Sequence, residues 1–265
     1  MGYAKLKIAT VVYHLLVAAI YAFLLTPIII VFLASISTTS YLTFPPQSVT
    51  LKWYAKALSQ PQYIEGFRYS LLLAAVTVGI SLTIGTLAAF AIMRFKFPGR
   101  DFINALVLSP LIFPMVIIGI ALLQFYSLLR ISGSFFGLVL GHVVITFPYV
   151  VRTVSASFHQ FDVSLEEAAR TLGANRIKTF FKITLPQIRP GLIAGAIFAF
   201  IVSFDNVPVS IFLIGVKATP LPVVIFSYIE FGVDPTIAAI STILICLTGA
   251  TIFIIEKWIG FSKFV

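Results

Sequence analysis

The stretch from Phe204 to Pro208 carries the only acidic residue that lies well inside an apolar segment, Asp205. A carboxylate at the centre of a bilayer costs ~2.5–3.5 kcal/mol on insertion scales, so it should face a wet cavity or a partner. Pro208 has no N–H to donate to the carbonyl of Phe204, which leaves an acceptor beside Asp205. Asp205, Asn206 and that carbonyl therefore predict an electronegative notch that attracts a cationic solute. The alternative is a buried aspartate that is protonated or paired with a residue of a second chain.

The other residues capable of chemistry do not form a recognisable catalytic or metal site. His14, His142 and His159 lie far apart without ligand spacing, and no H-E-x-x-H or paired carboxylate accompanies them. We interpret them as packed or interfacial histidines. Cys246 is the single cysteine, so no intrachain disulfide can form. No G-x-x-x-x-G-K-[ST] loop is present, and we expect neither ATP hydrolysis by that route nor any other enzyme activity.

The composition is that of an integral membrane protein. Hydrophobic residues make up 60% of the 265 residues, charged residues 10%, and the mean hydropathy is +1.07. Apolar runs long enough to cross ~30 Å of hydrocarbon recur, and their backbone groups must be satisfied internally, as in helices. We predict an all-α polytopic protein, one transmembrane domain over 1–265, with six spans at about 8–34, 70–93, 103–129, 135–151, 192–214 and 236–255.

The basic residues predict the orientation of the chain. The net charge of +9 could suggest nucleic-acid binding, but the lysines and arginines lie between apolar spans, where membrane orientation requires them. Thirteen of the 18 fall on the side that holds both termini and the loop at about 155–190. Positive charge is enriched in cytoplasmic loops. We therefore expect both termini and this loop to be cytoplasmic.

This loop predicts two short helices. Ser164 and Glu167 fit a capping box at the start of the first helix, and Gly173 suits the left-handed residue that ends it. Asn175 can cap a second helix, which Pro186 would stop. A short charged helix between membrane spans indicates a docking element.

Two features define the surface of the first helix. Leu165, Ala168, Ala169 and Leu172 recur at spacings that place them on one face. Glu166 and Arg170 are an i, i+4 pair with the acid N-terminal, the favourable order.

The loop also carries a family pattern, E-A-A, three residues, G, nine residues, I-x-L-P. It is filled by Glu167-Ala168-Ala169, Gly173, Ile183 and Leu185-Pro186. The pattern resembles the cytoplasmic loop of permease subunits of bacterial binding-protein-dependent ABC importers. The resemblance implies a type I importer permease fold with a coupling helix, and ATPase-coupling roles for Glu166, Glu167, Ala168, Ala169, Arg170, Gly173, Ile183, Leu185 and Pro186.

The same resemblance implies partners and a location. A homologous second permease subunit would complete the path, two ATPase subunits would bind ATP and Mg, and a periplasmic binding protein would deliver the solute. The chain itself would hold no cofactor and would lie in the bacterial inner membrane. Ser203-Phe204-Asp205-Asn206-Val207 is similar to the polyamine branch of these permeases and to its opine and 4-aminobutyrate relatives, which implies an amine-bearing solute.

Two other classes of membrane protein are the alternatives to an importer permease. A stand-alone secondary carrier or channel for a small cationic solute should show internal repeats and interrupted helices with ion ligands. The sequence has no internal repeat and one intramembrane acid. A membrane scaffold without a transport path would leave Asp205 and the loop pattern unexplained.

Overall fold

The computed structural model describes residues 2–39, 41, 46, 48–216, 218–231 and 234–259. Within them the chain is built from helices, and the sole β contact is an isolated bridge between Ser37 and Val49. The α-helices are α1 Gly2–Ser35, α2 Lys52–Ser59, α3 Pro61–Arg94, α4 Arg100–Leu108, α5 Met115–Leu128, α6 Phe135–His159, α7 Val163–Thr171, α8 Arg176–Thr179, α9 Leu185–Gln187, α10 Arg189–Phe204, α11 Ser210–Leu213, α12 Leu221–Phe231 and α13 Pro235–Ile259.

Three of the described helices are long and apolar enough to cross a membrane, over Thr10–Ser35, Pro61–Arg94 and Phe135–His159. Two bent pairs raise the number to five if each pair counts as one span: Arg100–Leu111 with Met115–Leu128, bent by 105°, and Arg176–Gln187 with Arg189–Phe204, bent by 68°. The sixth predicted segment falls in α13. The break of the first pair lies within the predicted segment 103–129, whereas the break of the second pair lies just before the predicted segment 192–214.

Contacts divide the chain into two compact units, residues 1–63 with 227–265 and residues 64–226. In the first unit, α1 and α2 both pack against α13. Trp53 of α2 is buried and its indole N–H donates to the carbonyl of Ser37 at 2.6 Å. The Lys56 ammonium lies 2.8 Å from the Asp234 carboxylate. The segment between α1 and α3 is therefore held by specific polar contacts.

The second unit is organised around the packing of α6 against α10. α6 begins at Ser134, whose side chain accepts a hydrogen bond from the N–H of Gly137 and so caps the helix. Between α6 and α10 lie glycines of α10: a Cβ at Gly191 would collide with Ser157 and with the carbonyl of Thr153. Small residues let helix backbones approach closely in a membrane. This close pair positions both regions that the sequence analysis singles out.

Two hydrophobic clusters fill the second unit. One includes Leu73, Leu138, Val209 and Leu213, and the other includes Ile92, Val154, Phe158, Ile188 and Ala199. The first cluster surrounds the end of α10 that carries Asp205. The second lies at the opposite end of α10, next to the loop with the E-A-A pattern.

Candidate functional site: a broken helix and a loop

The predicted segment 192–214 does not form one helix, which corrects the expectation of a continuous span. α10 ends at Phe204, and Asp205 is its C-cap, with its N–H donating to the carbonyl of Ile201 at 3.1 Å. α11 then covers only Ser210–Leu213. The 16 residues of α10 extend over about 24 Å at ~1.5 Å per residue. Asp205 therefore lies at the far end of a broken helix from the loop.

Asn206 explains part of the break. Its side chain is buried, and its Oδ1 accepts a hydrogen bond from the N–H of Val209 at 2.9 Å. This local bond offers the backbone an alternative to the helical ladder. Its Nδ2 lies 3.3 Å from the sulfur of Met115. Asn206, which was predicted to line the path, therefore stabilises the turn after α10. Asp205, by contrast, is exposed in this chain.

A second helix interruption lies beside the first. The chain turns between α4 and α5 through a 3₁₀ turn, Ser109–Leu111, and Pro114 precedes α5. A Cβ at Gly119 would lie 3.0 Å from the carbonyl oxygen of Pro208. Irregular backbone at membrane depth is tolerated only where it is buried in protein or lines a wet cavity. Two such segments meeting beside Asp205 mark this place as a candidate path.

The other two predicted path residues, Phe204 and Pro208, are half-buried next to Asp205. Phe204 stacks on Phe200 at 5.5 Å between ring centroids and meets Phe67 edge-on at 5.9 Å. The ring is therefore fixed by packing. The structure brings the four predicted residues together, with one carboxylate exposed among them.

His142 holds the two sides of the break together, a role that the sequence gives no signal for. Its ring is fully buried, and its two nitrogens lie 2.9 Å from the hydroxyls of Ser203 in α10 and Ser210 in α11. A neutral imidazole has one donor and one acceptor nitrogen, and a hydroxyl can serve either. The interpretation of His142 as a packed histidine is confirmed, and its packing fixes the geometry around Asp205.

The loop forms the first predicted short helix, but its start was predicted wrongly. α7 begins at Val163, and the cap is Asp162, whose carboxylate accepts a hydrogen bond from the N–H of Ser164 at 2.9 Å. Hydrogen bonds from Ser164 lower the pKa of the Asp162 carboxyl. The capping box expected from Ser164 and Glu167 is absent because Ser164 already lies within the first turn.

The end of α7 agrees with the sequence prediction. Gly173 has φ +86°, its N–H donates to the carbonyl of Arg170 at 2.9 Å, and the N–H of Ala174 donates to the carbonyl of Ala169 at 3.0 Å. This pair of bonds is a Schellman motif. Asn175 caps α8 by accepting from the N–H of Lys178 at 2.8 Å, also as predicted.

The second half of the loop pattern departs from expectation at Pro186. The chain continues from α8 through a π-helical turn, Phe180–Thr184, into α9, so Pro186 lies inside α9 and does not end the helical run. The run ends at Gln187, one residue after Pro186, and α10 continues from it at an angle of 68°. Leu185 packs against the cluster around Phe158, and Ile183 is half-buried.

The loop from α7 to the π-helical turn exposes several large apolar side chains. Leu165 is 47% exposed and Leu172 88% exposed. Ile177 and Phe181 are exposed as well. Leu165 and Leu172, which the sequence places on one helix face, are therefore both exposed. Glu167, Ala168 and Arg170 are also exposed, and Ala169 is half-buried. A pocket of about 540 Å³ lies here, and its lining includes Glu167, Arg170 and Arg176.

Glu166 points the other way, into the protein. Its carboxylate lies 2.5 Å from the Arg94 guanidinium, accepts a hydrogen bond from the Thr184 hydroxyl, and lies 3.9 Å from Arg170. The predicted partner Arg170 is thus the more distant of the two arginines. Arg94, which the sequence places in a basic turn at the membrane surface, is the residue that reasoning from the sequence missed.

Comparison with known proteins identifies the chain's relatives. Residues 81–260 match the family model described as "Binding-protein-dependent transport system inner membrane component". The spermidine/putrescine transport system permease protein PotC of Escherichia coli strain K12 is 34% identical, over 87% of each chain. The putrescine transport system permease protein PotI of the same strain is 33% identical, over 88% of this chain and 85% of PotI.

Two further similar proteins are named for the transport of other solutes. The molybdate/tungstate transport system permease protein WtpB of Pyrococcus abyssi is 30% identical, over 83% of this chain and 88% of WtpB. Among solved structures, a bacterial ABC transporter involved in the import of the acidic polysaccharide alginate matches with a TM-score of 0.79 at 19% identity. That match covers 95% of this chain and 96% of that chain, and it shows that the two share a fold.

Proposed function

The chain belongs to the family of inner membrane components of binding-protein-dependent transport systems, and from that premise we propose that it imports an amine-bearing solute. It is a permease subunit of an ABC importer with a type I fold, a transport component rather than an enzyme. The family works with a partner permease, an ATPase and a binding protein.

In the proposed assembly, this chain and a homologous second permease form the path. Two ATPase subunits bind ATP and Mg on the cytoplasmic side, where the loop and both termini of this chain lie, and a periplasmic binding protein delivers the solute. ATP and the loaded binding protein must each bind one state of the permease better than the other to drive the alternation. The bacterial membrane location follows from the family, and the orientation rests on the distribution of basic residues.

The ATPase is proposed to dock on the exposed face of α7 and α8. Leu172 and Ile177 are 88% and 70% exposed, and Glu167 supplies a charged contact beside them. Apolar patches rimmed by polar groups are typical of protein interaction sites. The pocket next to this face offers Arg170 and Arg176 to an acidic group of the ATPase.

Asp205 supports an amine-bearing substrate. Its exposed carboxylate at a break between two helices attracts a cation and repels an anion. Two relatives transport spermidine or putrescine, which are polycationic amines, and another transports the oxyanions molybdate and tungstate. The negative charge of Asp205 favours the amine over the oxyanion. We propose a polyamine as the first candidate substrate, and 4-aminobutyrate or an opine as related candidates.

A stand-alone carrier for a small cationic solute is not supported. The interrupted helices expected of such a carrier are present in α4–α5 and α10–α11. However, the family match over residues 81–260 and the permease relatives assign the chain to ABC importers. We therefore propose that these interruptions line the path of an importer.

Variants of Asp205 test the substrate class in the assembled transporter reconstituted in lipid. Opposite unit charges a few ångströms apart attract by between about 1 and 4 kcal/mol, depending on hydration. Asp205→Asn should therefore lower ATP-driven spermidine uptake about fivefold or more, with thermal stability unchanged. Asp205→Glu should retain more uptake because the charge survives. Asp101→Asn, which removes an exposed acid of α4, is the matched control and should transport normally.

Two outcomes would contradict this reading of Asp205. If Asp205→Asn lowers the thermal stability and the uptake in proportion, the residue is a buried structural acid in the assembly. If neither quantity changes, the amine assignment loses its residue-level support.

A further inference from the structure

We infer that Arg94, Glu166 and Thr184 form an internal joint that carries movement of α7 to the membrane-spanning helix α3. The inference rests on the proposed role of the loop in ATPase coupling and deepens it. Glu166 and Glu167 are neighbours of identical chemistry, but Glu167 is exposed and Glu166 is buried. The exposed acid suits contact with the ATPase, and the buried acid suits a connection within the permease.

The joint brings together parts of the chain that are far apart in sequence. Arg94 is the last residue of α3, Glu166 lies in the first turn of α7, and Thr184 ends the π-helical turn before α9. The Glu166 carboxylate contacts both other residues, with its guanidinium contact at 2.5 Å. One carboxylate therefore connects three segments.

The charges are placed where the helices favour them. A helix C-terminus stabilises a cation and a helix N-terminus stabilises an anion, and Arg94 and Glu166 occupy those ends of α3 and α7. The Arg94 guanidinium also lies over the ring of Phe161 at 4.3 Å and of Phe158 at 5.8 Å. These rings exclude water from one side of the guanidinium, which strengthens its attraction to the carboxylate.

Burial makes this contact hard to separate. The Arg94 and Glu166 side chains are 18% and 9% exposed, whereas Arg170, at 3.9 Å from the same carboxylate, is 54% exposed. Separating a buried pair leaves an uncompensated charge, while an exposed pair separates at little cost. A force on α7 therefore moves Arg94 with it rather than parting the two.

The joint contacts the hydrophobic cluster that packs α3, α6 and α10 together. Phe158, which Arg94 covers, belongs to the cluster that includes Ile92 of α3, Val154 of α6 and Ala199 of α10. Leu185, just after Thr184, packs against the same cluster. Packed cores move as units rather than deforming continuously. A displacement of α7 thus reaches three helices, including α10, whose other end carries Asp205.

A cysteine pair tests whether the connection itself matters. In a Cys246→Ala parent, Arg94→Cys with Glu166→Cys removes the joint, and a short bifunctional thiol reagent can rebuild it covalently. Coupling free energies between sites are typically 5–150-fold effects. Uptake per ATP hydrolysed should fall about fivefold or more in the pair, with the ATPase still bound, and should rise again after crosslinking. The single-cysteine variants, given the same reagent, should show no recovery.

A second variant covers the case in which the cysteine pair does not assemble. Arg94→Met with Glu166→Gln keeps similar side-chain volumes. Because it removes both charges together, no buried charge is left unpaired. It should assemble normally and show the same fall in uptake per ATP. Arg100→Met with Asp101→Asn removes one charge of each sign nearby and is the matched control, expected to match the parent.

Two results would overturn the inference: a parental ratio of uptake to ATP in either joint variant, or a ratio in the cysteine pair that crosslinking does not raise. Glu167→Lys tests the proposed function separately, because it should weaken ATPase binding itself. If Glu167→Lys binds the ATPase and transports normally, the loop is not the coupling element. If Glu167→Lys fails while the joint variants behave as the parent, only the joint is refuted.

Discussion

Replacing Gly173 isolates the turn that ends α7 from every side-chain contact around it. The residue has φ +86°, and a Cβ there would meet no atom within 4 Å, so any cost is backbone strain alone. The left-handed conformation costs an L-residue about 1–2 kcal/mol, and Gly→Ala regains about 0.4–1 kcal/mol by restricting the unfolded chain. We expect Gly173→Ala to weaken the turn by about 1 kcal/mol, which is about a fivefold change in its opening.

Two further substitutions at Gly173 should weaken the turn by different amounts. Asn tolerates the left-handed region, so Gly173→Asn should cost least. A β-branched residue is a strong outlier there, so Gly173→Val should cost most and abandon the turn. The two Schellman hydrogen bonds would then be lost, and with them the fixed angle between α7 and α8.

Hydrogen exchange measures this effect at the amide of Ala174, which bonds to the carbonyl of Ala169. Its exchange should accelerate in the order Asn, Ala, Val, while global thermal stability stays constant. ATP-driven uptake should fall in the same order and vanish in Gly173→Val, with the chain still in the membrane. Equal exchange rates and equal uptake in all three variants would refute the reasoning.

Three other predictions test the orientation and the packing of the second unit. In a cysteine-free background, Ser48→Cys should react with an impermeant thiol reagent from outside and Asn175→Cys only after permeabilisation; the reverse order contradicts the orientation. His142→Ala leaves two buried serine hydroxyls unpaired and should cost about 1–3 kcal/mol of stability, so an unchanged thermal midpoint would contradict the bridging role. Gly191→Ala should force α6 and α10 apart and cost about 1–3 kcal/mol, whereas Gly79→Ala, with no atom near its Cβ, should not; equal losses would contradict close packing.

Local signals in the sequence predicted local structure well. The position of Gly173 after an amphipathic run predicted a left-handed helix end, and Asn175 predicted a cap, because both features depend on residues within one turn. The start of α7 was missed by two residues, since Asp162 and Ser164 are both capping residue types and spacing alone does not choose between them. Pro208 was predicted only to leave the carbonyl of Phe204 without a donor inside a continuous span, and the break there was missed because it also depends on the hydrogen bond that Asn206 accepts.

Contacts between distant residues could not be predicted from one sequence. Arg94 fits a role in membrane orientation equally well, and nothing local indicates that it meets Glu166 in a different helix. His142 likewise gave no sign that two serines from α10 and α11 would flank its ring. These pairings depend on how α3, α6 and α10 pack, which periodicity does not specify.

The most direct test of the central claim is labelled-spermidine uptake by the complete transporter in liposomes. The system would contain this permease, its partner permease, the ATPase and the binding protein. The account predicts uptake only when ATP is present on the ATPase side and loaded binding protein on the opposite side, with molybdate not transported. Uptake driven by an ion gradient without ATP, or ATP-driven uptake of molybdate in place of spermidine, would contradict it.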